Sequence, residues 1–317
     1  MKIAFLGTPE ISAYVLQKLH DGGIDIKWVA TQPDRESGRG RKITPPSVKV
    51  KAQILNIDVL QSDKFDRSFF EKIKKYGEID IAIVIAYGMY IPTYFLDYPK
   101  YGCLNIHFSL LPKYRGSAPV ARAIMNGEKK TGVSIMKLVK EMDAGDIVAE
   151  ERLNIELGDT TESLTWSLVK IGTDLLIKTI PLYVDGKIKP ISQDSLNIKP
   201  NYADKIRSDE KSIDWNKRAL EIHDKIRALY PWPIAESRIN GSILKLIKTW
   251  PEGLVSTEDE KLPVGTVISV DKKDGIFAVK TANGALLVEK VQPSGKREML
   301  VSEFLNGYEI KKGMRFE

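Results

Sequence analysis

Lys2-Ile3-Ala4-Phe5-Leu6-Gly7-Thr8-Pro9-Glu10 begins with a short apolar run, and Lys2 to Leu6 reads as a buried strand. The residues that follow turn the chain into a helix. Thr8 is placed to cap it, and Pro9 suits the first helical position, where a missing N–H costs nothing. Ile11, Val15, Leu16 and Leu19 share one helix face, and Gly22-Gly23 stop it. Strand, turn and helix in this order open a doubly wound α/β fold. The turn holds a single glycine where a dinucleotide fingerprint needs three, which argues against a nicotinamide site.

Further strands follow the same logic. Ile26 to Thr31 reads as the second. Ile79 to Ala86 is a continuous apolar run, too short for a lone helix and suited to a central parallel strand. Gly102 to His107 and Gly132 to Val139 continue the sheet, with a short helix between them that starts at Ser117-Ala118-Pro119. Asp159-Thr160-Thr161-Glu162 looks like a helix start with a reciprocal cap, and that helix runs to about Val184. Residues 186–205 lack periodicity and carry Lys187, Lys189, Pro190, Lys199 and Pro200, which suits a linker. Asp214 is placed to cap a helix with Trp215, Leu220, Ile222, Ile226 and Leu229 inward.

Beyond that helix the period becomes two. Asn240-Gly241 joins the strands at 235–239 and 242–247, and three more are expected at 265–270, 275–281 and 285–291. The expected architecture is therefore a Rossmann-like, mostly parallel α/β domain over 1–189, a linker over 190–206, and an all-β barrel domain over 207–317.

The stretch that carries chemistry is Asn105-Ile106-His107-Phe108-Ser109-Leu110-Leu111-Pro112-Lys113-Tyr114-Arg115-Gly116. Asn105 and His107 are two apart, so on a strand they project from one face, where an amide and an imidazole can converge on a developing charge. Leu110, Leu111 and Pro112 offer an apolar wall beside them. A lone histidine after an apolar strand is more often a hydrogen-bonded core residue, and spacing alone leaves both readings open. Cys103 shares their parity, but it lacks a local base and reads as a packed thiol.

The chain has 317 residues, 43% hydrophobic and 28% charged, which allows two ordinary hydrophobic cores. No apolar run approaches the ~20 residues of a membrane helix, so a cytoplasmic protein is expected. Cys103 is the only cysteine, which excludes an internal disulfide. His20, His107 and His223 lack paired-ligand spacing, and no metal is expected. The net charge of +6 is unevenly placed. Arg35 to Lys51 holds six cations against Glu36, and Lys113 to Lys140 holds seven against Glu128. This basic excess flanks the Asn105 stretch and suits a polyanionic partner, or else lysines that merely solvate loops.

The twelve residues from Asn105 to Gly116 resemble the hallmark segment of the folate-dependent formyltransferases, enzymes that transfer a formyl group from 10-formyltetrahydrofolate to an amine. Phe108 stands where that family often has a small residue. Met142-Asp143-Ala144-Gly145-Asp146 is similar to a second family segment, whose first aspartate partners the histidine. The resemblance implies Asn105, His107 and Asp143 as catalytic residues and Asp146 as a structural one. It implies a folate pocket lined by Ser109, Leu110, Leu111, Pro112, Tyr87 and Gly88, and a C-terminal OB-fold. The stretch from Thr31 through Pro45-Pro46 reads by itself as a long exposed loop. It resembles an insertion in the tRNA-directed branch of the family. That implies initiator methionyl-tRNA as acceptor, with Arg39 as its contact and Arg41 and Lys42 beside it. A monomer is expected. Two alternatives stay open: a formyltransferase of a small amine, which would not need the basic loop, and a catalytically idle nucleic-acid-binding protein that uses the barrel.

Overall fold

The computed structural model describes residues 1–317 apart from Arg39 and Leu254. The strands of the N-terminal part are β1 (Lys2–Gly7), β2 (Asp25–Thr31), β3 (Arg35–Ser37), β4 (Lys42–Thr44), β5 (Val59–Gln61), β6 (Ile81–Ile85), β7 (Cys103–His107), β8 (Lys130–Lys137) and β9 (Ile147–Asn154). Seven of them form one sheet in the order β5-β2-β1-β6-β7-β8-β9. The sheet is parallel from β5 to β7, and β8 pairs antiparallel to β7. The helices of this stretch of the chain are α1 (Glu10–Asp21), α2 (Ser47–Ile54), α3 (Arg67–Lys74), α4 (Thr93–Leu96), α5 (Pro119–Met125) and α6 (Thr161–Val184).

Strand alternation divides the core between the two faces of the sheet. Ile3, Phe5, Ile83, Leu104 and Ile106 pack with Val15 and Leu19 of α1 and with Leu176 and Ile180 of α6. Ala4, Leu6, Ala82, Val84 and Cys103 pack with an aromatic cluster of Phe65, Phe69, Phe70 and Phe95. Asp66 starts α3 by accepting the Phe69 N–H at 2.9 Å, so one cap aims two of those rings inward.

The second sheet belongs to the C-terminal part. There α7 (Ala219–Ala228) precedes β10 (Glu236–Ile239), β11 (Ser242–Glu252), β12 (Val267–Asp271), β13 (Ile276–Lys280), β14 (Ala285–Pro293), β15 (Met299–Leu300) and α8 (Val301–Phe304). The order is β10-β11-β14-β13-β12, with β15 on β14. The chain end closes this sheet. Phe316 bridges Ile239 at the end of β10, and Arg315 bridges Thr266 just before β12, so both edges meet one segment. This is the expected small barrel.

By packing, the chain forms two compact units interleaved in sequence: 1–116, 131–153 and 166–202 in one, and 117–130, 154–165 and 203–317 in the other. Packing therefore divides the chain differently from the consecutive blocks 1–189, 190–206 and 207–317.

Several local expectations change. Thr8 does not cap α1: Pro9 holds that position, and the Thr8 hydroxyl donates to the Tyr87 carbonyl at 2.8 Å. Asp214 does not cap α7, which starts at Ala219. It accepts instead from Asn216, while Glu221 returns to the Arg218 N–H. The reciprocal cap of α6 joins Thr160 to Ser163 rather than to Glu162. The basic loop contains a hairpin of β3 and β4, and Asp34 secures its base with Lys49 at 2.7 Å and Gln61 at 2.8 Å.

Candidate functional site

Parallel β6 and β7 end side by side, with Val84 in register with Asn105, and the loops beyond them carry the proposed site. Asn105 is half-buried, and no described residue hydrogen-bonds its side-chain amide. His107 is 5% exposed. Its Nε2 lies 2.9 Å from the Tyr114 carbonyl, and since a carbonyl only accepts, Nε2 carries the proton. In the neutral ring the lone pair is then on Nδ1, which lies 3.7 Å from Asp143 Oδ2. That separation is too long for a hydrogen bond and short enough for strong attraction once the ring is protonated.

Asp143 adopts a left-handed backbone, φ 49°, which Asp tolerates better than most residues. Its Oδ2 accepts the Gly116 N–H at 2.8 Å. Gly145 lets this loop close, because a Cβ there would lie 1.7 Å from the Lys137 carbonyl. Asp146 has an exposed side chain, and its backbone carbonyl takes the Lys137 N–H at 2.9 Å.

The loop from Ser109 to Pro112 is held from within. Ser109 is fully buried and donates to the Lys113 carbonyl at 2.6 Å, while its own carbonyl accepts from Ser134. Leu110 lies over Gly132, where any Cβ would be 2.4 Å from it. Leu111 packs with Met136 and Ile147, and the Leu111–Pro112 peptide is cis. Phe108 points to the opposite face of the sheet and packs against the core there, so it takes no space beside His107.

Tyr87 is 2% exposed, with its ring edge-on to Phe65. Its hydroxyl is buried without a partner among the described residues, and burial pushes the phenol up, so it stays protonated. Gly88 is exposed at φ 76°, and a Cβ there would lie 2.4 Å from Gln32 Nε2, which donates to the Tyr87 carbonyl. Cys103 is fully buried, and burial raises its thiol well above the ordinary range, which removes it as a nucleophile.

The basic loop divides by role. Lys49 is engaged by Asp34, and Lys51 donates to Gln17 at 2.9 Å. Arg41 and Lys42 are exposed on the hairpin, with Arg41 3.9 Å from Glu36. Arg39 lies outside the described residues. No group of three or more His, Cys, Asp or Glu placed to hold a metal occurs among the described residues, and none of their helices is long and apolar enough to cross a membrane.

Two further residues reach this site from the stretch expected to be plain linker. Asn201 accepts the Tyr114 N–H with its side chain and the Arg115 N–H with its carbonyl. Gln193, 3% exposed, binds Arg115 and the Asp143 loop. The one signal for them in the sequence is the presence of amide side chains in an otherwise Lys- and Pro-rich run.

The model for the formyl transferase family matches residues 1–180, and that for the formyl transferase C-terminal domain matches 205–309. A methionyl-tRNA formyltransferase of Bacillus cytotoxicus is 40% identical over 316 residues, covering 99% of this chain and 98% of its own. Among solved structures, the N-formyltransferase from Helicobacter canadensis in complex with folinic acid and dTDP-3-aminofucose covers 92% of this chain and 99% of its own, with TM-score 0.66 at 20% identity. HypX from Aquifex aeolicus in complex with tetrahydrofolic acid covers 100% of this chain and 51% of its own, with TM-score 0.65 at 17% identity. At those identities the two structures share the fold, whereas the Bacillus relative fixes the branch. The chain thus belongs to the formyl transferase family, in its methionyl-tRNA formyltransferase branch.

Proposed function

We propose that this protein transfers the formyl group of 10-formyltetrahydrofolate to the free α-amine of initiator methionyl-tRNA, giving N-formylmethionyl-tRNA and tetrahydrofolate for translation initiation. It works in the cytoplasm as a monomer. The folate supplies the activated formyl carbon, and the protein aligns the amine and handles charge and protons. Asn105 donates its uncommitted amide hydrogens to the oxyanion that develops as the amine adds to that carbon. His107 Nδ1 takes the proton leaving the amine and returns it to the folate nitrogen as the C–N bond breaks. Asp143 supports the imidazolium in between. The Tyr87–Gly88 turn, exposed at Gly88, fits a polar, flat co-substrate at the ends of β6 and β7, beside Ser109 to Pro112. Arg41 and Lys42, together with Arg39, engage the tRNA, and residues 207–317 form a tRNA-binding domain joined to the catalytic residues 1–189 by 190–206.

The observation that carries this reading is the position of Asp143 beside the one ring nitrogen of His107 able to accept a proton. Incubating the protein with 10-formyltetrahydrofolate and charged initiator methionyl-tRNA is expected to give formylated product, with rates that fall steeply as salt rises. Transfer to an amino-sugar nucleotide but not to the tRNA would assign the site to a small amine. No transfer to either would leave a nucleic-acid-binding protein.

A further inference from the structure

Gln193 uses the full hydrogen-bonding capacity of its amide inside the protein. Its Oε1 accepts from Arg115 Nε at 3.0 Å and Nη2 at 2.7 Å, and its Nε2 donates to the carbonyls of Asp143 at 2.8 Å and Gly145 at 2.7 Å. The contacts close a ring. Gln193 holds the side chain of Arg115, Arg115 is followed by Gly116, the Gly116 N–H holds the Asp143 carboxylate, and the Asp143 carbonyl returns to Gln193. Asp143 is therefore fixed at its carboxylate and its backbone from two separate parts of the chain. Its left-handed backbone needs such support, because a conformation of that kind persists only where its surroundings over-determine it.

We propose that Gln193 is a positioning residue for formyl transfer, setting the Asp143 carboxylate opposite His107 Nδ1. The inference rests on the catalytic reading of His107 and Asp143 given above. The two halves of the amide do different things. The oxygen gives the buried Arg115 guanidinium its partner, and the N–H groups hold the Asp143 loop. Arg115 is 7% exposed and faces this neutral amide, so a carboxylate in the same place would pair with it at least as well. It would have no hydrogen to give the two carbonyls.

Gln193→Glu separates these functions. It is expected to unfold below the temperature of the parent, because two buried carbonyls lose their donor while Arg115 keeps a partner, to keep KM for both substrates within about twofold, and to lose about tenfold to a hundredfold in kcat, the scale on which small misplacement of a catalytic group is felt. Should the charge unfold the chain, Gln193→Met, of similar length, carries the same comparison of kcat with KM. A kcat within about twofold of the parent in the folded variant overturns the proposal, as does a fall in kcat matched by rising KM for both substrates, which marks a general structural role. Asp143→Ala is assayed alongside. If that variant keeps its rate, the catalytic reading itself is wrong. If it is inactive while the Gln193 variants are normal, only the positioning role fails.

Discussion

His107 and His223 are both buried, both stand against a backbone carbonyl, and differ in what faces the second ring nitrogen. In His107 the Tyr114 carbonyl takes one nitrogen, and the other looks across 3.7 Å to a carboxylate. In His223 the Leu157 carbonyl takes Nε2 at 2.8 Å, and the Thr249 hydroxyl fills Nδ1 at 3.1 Å. Its ring stacks on Trp250, and the nearby Arg227 and Asp224 are paired with each other at 2.7 Å. One histidine keeps a nitrogen for a proton that has yet to arrive, and the other has spent both on holding its unit together. Burial and hydrogen bonding alone do not mark a working histidine; the unfilled nitrogen with an acid behind it does.

The largest expected effect breaks this contrast directly. His107→Gln should lower kcat by about a hundredfold to ten-thousandfold, the range for losing a positioned acid–base group, with little change in the unfolding temperature. A variant that unfolds early but transfers formyl groups at the normal rate per folded molecule would put His107 in the same class as His223. Next in size is Asn105→Ala. Losing one oxyanion donor typically costs ~2.7 to 4 kcal/mol in the transition state, about a hundredfold to a thousandfold in rate. Because no described residue uses that amide, folding stability should hold. An unchanged turnover would remove Asn105 from the chemistry.

How far the two histidines could be told apart in the sequence follows from where their partners lie. Asn105 and His107 share a face by strand parity, and the strand itself is legible as an apolar run. The partner of His107 sits 36 residues away in a turn, and its role is legible only through the family segment that contains it. Gln193 is harder still. Its three partner residues are about 50 to 80 residues distant, and an aperiodic polar run gives no sign that one amide in it is buried. Local caps misled for a related reason. Thr8 has the right residue type, but the helix begins one residue later than its position suits, with Pro9 at the cap, and its hydroxyl donates to the Tyr87 carbonyl 79 residues away. The barrel strands were legible because each pairs with a neighbour across a short turn. Their closure through Arg315 and Phe316 was not, because it joins the chain end to strands far back in sequence.

The smallest effect concerns His223 and pH. Burial first, and then Arg227, push its imidazole below its ordinary range, against the opposing pull of the Leu157 carbonyl, Asp224 and Thr249. The folded chain therefore resists protonating this ring, while the unfolded chain accepts a proton below about pH 6.5. Stability held by the neutral ring is complete above that value and is lost on acidification until the folded ring also titrates, at no more than about 1.4 kcal/mol per pH unit. The carboxylates act in a different window. Asp34, held low by Gln61 and Lys49, and Glu210, held low by Arg122, give up their contributions only below about pH 4.5. Urea midpoints compared at about pH 7.5 and about pH 5.5 isolate the histidine from them. His223→Gln, which cannot titrate, should show a smaller drop in midpoint between the two conditions than the parent. An equal drop in both would mean that the ring takes its proton as easily in the fold as in the unfolded chain, and the contrast between a spent histidine and a waiting one would lose its energetic basis.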